Sequence, residues 1–121
     1  MTRNLRLIVC GGRDYADRAH VFAVLDDIHA KRTIALIIEG NATGADRLAR
    51  EWAESRGVPC RTEKTNWIQL GRRAGPDRNA MMLSLDPDGV VAFPGGRGTA
   101  DMVRQAEELG YLVMRAESKD R

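Results

Sequence analysis

The chain has 121 residues and a mass of 13.4 kDa, enough for one domain whose core removes roughly two-thirds of the unfolded chain's surface from water. Hydrophobic residues at 43% and charged residues at 30% exclude a disordered or low-complexity chain. The formal net charge of +2 is too small for wholesale neutralisation of a nucleic-acid backbone.

In chain order, Leu5-Arg6-Leu7-Ile8-Val9-Cys10 reads as a first strand, and Gly11-Gly12-Arg13-Asp14 as a turn. Val21, Leu25 and Ile28 recur at i, i+4 and i+7, the apolar stripe of a helix over about 17–31. Ile34-Ala35-Leu36-Ile37-Ile38 is a β-branched run without alternation, as expected of a strand covered on both faces. After the turn 39–46 comes a helix with Leu48, Ala49, Trp52 and Ala53, stopped by Gly57 and Pro59. Thr43 and Asp46 have the spacing of a capping box at its start.

Cys60 to Thr62 predicts a short third strand, and 63–75 a loop holding Trp67, Arg72 and Arg73. Pro76 opens a helix running to about Leu85, with Met81, Met82 and Leu85 facing inward. Val90-Val91-Ala92-Phe93 is the fourth strand, followed by the turn Pro94-Gly95-Gly96-Arg97-Gly98-Thr99. A helix with Met102, Val103, Ala106 and Leu109 follows, closed by Gly110. A fifth strand, Tyr111 to Met114, precedes a solvated tail from Ala116 to Arg121. The order βαβαβαβαβ, with no repeat or linker, predicts a single α/β domain over 1–121. It is a Rossmann-like three-layer open parallel sheet of about five strands and four helices.

No apolar run is long enough to span a bilayer. The N-terminus has no small-residue cleavage site, so the expected location is the cytoplasm, with no membrane partner. Cys10 and Cys60, with only His20 and His29 to assist, make no four-ligand spacing, so neither a metal nor a cofactor is expected. Both cysteines read as small buried hydrophobes.

Three turns carry the chemistry: Gly11-Gly12-Arg13, Gly40-Asn41-Ala42-Thr43-Gly44 and Gly95-Gly96-Arg97-Gly98-Thr99, each between a strand and a helix. Glycine lets a ligand approach peptide N–H groups, and the first turn of the next helix offers free amides and the positive dipole end. Thr99 adds a hydroxyl, while Arg13, Arg73 and Arg97 add charge-assisted donors. Sixteen of the nineteen cationic residues are Arg, from a coding bias or from a need to grip anions in a fixed orientation. No G-x-x-x-x-G-K-[ST] occurs, and no G-x-G-x-x-G follows the first strand. A phosphate-bearing ligand held by short turns is therefore the expectation. Asp46 either caps its helix or contacts that ligand. Glu39 either reads ribose hydroxyls or is the loop's first solvated residue, and Trp67 either stacks on a base or fills the core.

Gly11-Gly12-Arg13-Asp14-Tyr15, the stretch from Gly40 to Asp46, Gly75-Pro76-x-Arg78-Asn79-x-x-Met82 and Pro94-Gly95-Gly96-Arg97-Gly98-Thr99 resemble the SLOG superfamily. They are closest to its small YspA/YpsA-related branch. Kin there include the LONELY GUY phosphoribohydrolases and the Smf/DprA proteins. The resemblance implies a nucleotide or nucleotide-derived ligand held by a binding or sensor domain. The LONELY GUY pattern implies an alternative, cleavage of the N-glycosidic bond of a nucleoside 5′-monophosphate. Arg78 would then serve as the family's helix arginine, and Asp101 would stand where that family has Glu. The His and Lys that flank the family's arginine are absent here. Physically, a carboxylate beneath the sugar stabilises the positive charge that builds as the base departs; otherwise Asp101 caps its helix and Arg78 is a surface residue. Smf/DprA kinship implies single-stranded DNA binding as a third reading, against which stand 5% aromatic residues and a nearly balanced charge. The kinship also implies a homodimer, through the helix with Met81, Met82 and Leu85.

Overall fold

The computed structural model describes residues 4–64 and 71–117, without the side chain of Arg72. Trp67 and the last four residues of the predicted tail lie outside the described residues. The strands are β1 (Leu5–Cys10), β2 (Ile34–Glu39), β3 (Cys60–Thr62), β4 (Gly89–Ala92) and β5 (Val113–Arg115). The helices are α1 (Arg18–Lys31), α2 (Ala45–Arg56), α3 (Ala74–Leu83) and α4 (Arg97–Glu108). The five strands form one all-parallel sheet in the order β3-β2-β1-β4-β5. Strand order reverses between β1 and β4, where the carboxyl ends of an open α/β sheet normally leave a crevice.

Alternation along the strands divides the core into two layers. Leu7, Val9, Ile37, Val91 and Phe93 pack with Val21 and Leu25 of α1 and Ala49 and Trp52 of α2. Ile8, Cys10, Ile38, Val90 and Ala92 face the other way, onto Met82 and Leu83 of α3 and Met102, Val103 and Ala106 of α4. Trp52 is fully buried, with its indole N–H donated to Asp26 Oδ1 at 2.8 Å. Helix ends follow local rules. Asp17 Oδ1 accepts from the His20 amide to cap α1, and Gly57, at φ +69, closes α2 in the left-handed conformation.

Several expectations need correction. Glu39 is the last residue of β2 and fully buried, not a solvated loop residue. The capping box does not form, because Gly44 is the N-cap of α2 and Thr43 Oγ1 donates to the Arg13 carbonyl. Helix α3 starts at Ala74 after a 3-10 turn, Gly71–Arg73. Pro76 then sits inside its first turn, where a missing N–H costs nothing. Met81 is exposed and Leu83 takes the inward place; Met82 and Leu85 pack on their own chain's core. Leu109 is the C-cap of α4, outside its apolar stripe and exposed. The fifth strand begins at Val113, and Ala116 is buried, its amide donating to the Ala92 carbonyl at 2.8 Å.

The turns above the sheet are packed backbone to backbone. The Gly12 amide donates to the Pro94 carbonyl at 2.8 Å, and the Gly12 carbonyl accepts from Ala45 at 3.1 Å and Tyr15 at 3.2 Å. A methyl group on Gly44 would lie 1.9 Å from the Gly12 carbonyl oxygen and 2.7 Å from the Arg13 carbonyl carbon. Backbone cannot rotate aside, so Gly44→Ala is expected to destabilise by at least about 3 kcal/mol, read by urea denaturation.

Candidate functional site

The predicted site residues fall into two groups. The first is an internal polar network over the ends of β1 and β2. Asp46, at the start of α2 and buried, accepts the amides of Gly40 at 3.1 Å and Ala42 at 3.2 Å on one oxygen. The Asn41 amide donates to Glu39 Oε1 at 2.6 Å. Asn41 has φ +68, a left-handed conformation that its short polar side chain tolerates. Its Oδ1 accepts from Arg50 at 3.1 Å. Three amides of the 40–44 turn, those of Gly40, Asn41 and Ala42, are thus occupied by the chain's own carboxylates.

Glu39 is held from several sides. Its Oε2 accepts from the Thr62 hydroxyl and meets Arg50 Nη1 at 3.5 Å and Cys60 Sγ at 3.8 Å. Arg78 reaches across from α3 and donates to the Gly40 carbonyl at 3.0 Å and to Asn79 Oδ1 at 3.2 Å. Its guanidinium fills the space a side chain on Gly40 would need. Asn79, fully buried, donates in turn to the Gly98 carbonyl at 3.2 Å and to Asp101 Oδ2 at 2.9 Å. Asp101 also accepts from Gln105 at 2.7 Å on Oδ2 and from Arg104 at 2.7 Å on Oδ1. It stands in the second turn of α4, one turn beyond any capping position.

Electrostatics follow from this wiring. Burial pushes the Asp46 carboxyl up to about 6; its amide bonds oppose the shift, the Glu39 charge adds to it and Arg78 works against it. Burial also acts to raise Asp101, but the hydrogen bonds from Asn79, Arg104 and Gln105 outweigh it and hold the carboxyl below its ordinary value. The Cys10 thiol is pushed up to about 12 by burial and the Asp46 charge, and Cys60 to about 12 by burial and the Glu39 charge. Both stay protonated thiols at neutral pH, without the thiolate that reactivity requires.

The second group faces outward around the 95–99 turn. Gly96 is the N-cap of α4, and the amides of Arg97, Gly98 and Thr99 have no acceptor among the described residues. A side chain on Gly96 or Gly98 would meet nothing within 4 Å. Gly95 is different: a methyl there would lie 2.2 Å from Thr99 Oγ1 and 2.6 Å from the Gly12 amide nitrogen. A methyl on Gly11 would likewise lie 2.5 Å from Ala45 Cβ. Among the described arginines, Arg13 and Arg97 alone make neither an ion pair nor a hydrogen bond through their side chains, and both are exposed. Arg73 is spent locally, 3.5 Å from Asp77 on the adjoining helix. A cleft of about 660 Å³ opens beside the turn, between α4 and the end of β5.

Sequence reasoning assigned no role to Asn79, Tyr15, His20 or Phe93. Asn79 is the bridge between Arg78 and Asp101, and its place beside Arg78 was the available signal. Tyr15 and His20 pack on Phe93, with ring centroids 5.7 and 5.8 Å away. The Tyr15 hydroxyl and both His20 ring nitrogens are buried without a hydrogen-bond partner among the described residues. His20 precedes Val21 and lies outside the apolar stripe of α1, so periodicity could not find it. No group of metal-ligating side chains occurs among the described residues, and no described helix is long and apolar enough to cross a membrane.

Compared with known proteins, residues 5–69 match the model of the YspA, cpYpsA-related SLOG family. The Gene 61 protein of Mycobacterium phage D29 is 32% identical over 117 residues, covering 90% of this chain and 94% of that protein. No solved structure matches the chain.

Two expected outcomes test this wiring. With a folded-state pKa above the unfolded value near 3.8, Asp46 makes the native state hold its proton more tightly. The Asp46 contribution to stability is then fully present below about pH 4 and is lost, about 3 kcal/mol of it, as the pH rises through 6. Denaturation between pH 4 and 8 reads this slope, and Asp46→Asn, uncharged but with an oxygen for the two amides, is expected to flatten it. Replacing His20 by Leu removes two buried nitrogens that lack partners, so thermal melts are expected to be unchanged or to gain about 1 kcal/mol.

Proposed function

The chain belongs to the YspA, cpYpsA-related SLOG family, and from that premise we propose that it is a binding or sensor domain for a nucleotide or nucleotide-derived ligand, whose phosphate sits at the 95–99 turn. One observation carries the reading. Gly11, Gly12, Gly44 and Gly95 have close neighbours that require a missing side chain, whereas Gly96 and Gly98 stand in open space. Neither of the last two has a left-handed φ. Packing thus supplies no reason for glycine at 96 and 98, and close approach of an anion to the backbone does. The amides of Arg97, Gly98 and Thr99 and the positive end of α4 supply the donors. Arg97, and Arg13 on the adjoining turn, supply spare charge.

The 11–13 and 40–44 turns act differently in this reading. They buttress the 95–99 turn and offer a phosphate fewer donors, since the Gly12, Gly40, Asn41 and Ala42 amides already have acceptors. Glycosidic hydrolysis finds no support in the geometry. Both Asp101 oxygens accept hydrogen bonds from Asn79, Arg104 and Gln105, and Arg78 is turned onto the Gly40 carbonyl. Asp101, Asn79 and Arg78 instead read as the strut that ties α4 and α3 to the end of β2.

Gly98→Ala separates this reading from a structural role for the turn. A methyl in open space within a helix is expected to stabilise the fold by about 0.5–1 kcal/mol. The same methyl is expected to weaken binding of adenosine 5′-monophosphate and inorganic phosphate at least tenfold by titration calorimetry, as is Arg97→Ala. Unchanged affinity in both variants, or no binding by the wild type, rejects the proposal; chromatography of the same mixtures reports any free base.

A further inference from the structure

The crevice that strand order predicts between β1 and β4 is filled. Its two turns are joined by the Gly12–Pro94 hydrogen bond, and a methyl on Gly95 would lie 2.6 Å from the Gly12 nitrogen and 2.9 Å from the Gly11 carbonyl carbon. No ligand ring passes between backbones that close. Behind them, the space toward β2 is taken by Arg78, Asn79 and Asp46 and their bonds. The described cleft lies on the opposite side of the 95–99 turn, between α4 and the end of β5, and Gly95, Gly96 and Thr99 line it.

We infer that the uncharged, ring-bearing part of the ligand lies in this β5-side cleft, one strand away from the position that the sheet topology favours. The inference rests on the phosphate site proposed above and goes beyond it by saying where the rest of the molecule sits. Three observations carry it. The cleft is continuous with the phosphate turn through Gly95 and Gly96, and its volume of about 660 Å³ falls within the range of small-molecule sites. Its apolar lining on the α4 side comes from Ala92, Pro94, Ala100 and Val103, a surface suited to one face of a flat heterocycle. Its charged lining has no cation to spare. Arg104 is bonded to Asp101 and Glu108, and Arg115 to Glu107 at 3.2 Å. Glu117 has no partner among the described residues. Carboxylates only accept hydrogen bonds, so this rim suits N–H and O–H donors and repels a further phosphate.

Ala100 is exposed on the cleft side of α4 and can be enlarged without disturbing the core. The test compares the wild type, Ala100→Leu and Ala100→Trp against adenosine 5′-monophosphate and inorganic phosphate by calorimetry, with circular dichroism melts as the fold control. The wild type is expected to bind the nucleotide at least tenfold more tightly than phosphate. Ala100→Trp is expected to abolish that preference while leaving phosphate affinity within twofold, with Ala100→Leu intermediate. A preference that survives both substitutions overturns the inference while leaving the phosphate site standing. That includes the case in which the substitutions alter self-association measured by sedimentation, which would make the cleft an interface between copies. A wild type that binds phosphate and nucleotide equally also overturns it, and a wild type that binds neither removes the phosphate site and this inference together. Should Ala100→Trp not fold, Ala100→Leu decides alone.

Discussion

The molecule depends on the backbone of one residue, Gly12, whose amide donates to the Pro94 carbonyl and whose own carbonyl accepts from Ala45 and Tyr15. That residue holds the end of β1, the end of β4 and the start of α2 in mutual contact. Contact this close is possible only because Gly11, Gly12, Gly44 and Gly95 carry no side chain. The sheet and its two apolar layers would persist with a looser arrangement above them. What the Gly12 contacts decide is the relative placement of the turns, and with it which side of the 95–99 turn is open.

Around this junction the chain spends its carboxylates on itself. Asp46 and Glu39 take the Gly40, Asn41 and Ala42 amides, and Asp101 is held by Asn79, Arg104 and Gln105. Buried carboxylates are tolerable when several donors converge on them, and burial still keeps Asp46 raised to about 6. The result is a rigid, internally satisfied platform on the β2 side and an unsatisfied donor set at the start of α4.

Much of the architecture was legible from local pattern. β1 and the short β3 fall where apolar runs and flanking glycine and proline put them, and the alternation of strands with 3.6-period stripes identified the parallel sheet. The errors lie where local signals compete with packing. Thr43 and Asp46 have capping-box spacing, yet the Arg13 carbonyl and the Gly40 and Ala42 amides are better-placed partners. Leu109 continues a periodic stripe in sequence but lies past the end of its helix. Glu39 reads in sequence as either a ribose contact or a solvated loop residue, and is buried among Asn41, Thr62 and Arg50.

By itself the sequence determined the class of fold, the family, and the identity of the turns above the strand ends, because those follow from periodicity and short motifs within a few residues of one another. Only the tertiary structure decided what each glycine is for. Gly12, Gly44 and Gly95 answer to neighbours more than thirty residues away, while Gly96 and Gly98 answer to none. The same long-range contacts decided that Asp101 is tied down through Asn79 and that the open face lies toward β5. Distances of that kind are set by how the layers stack, and no spacing along the chain encodes them.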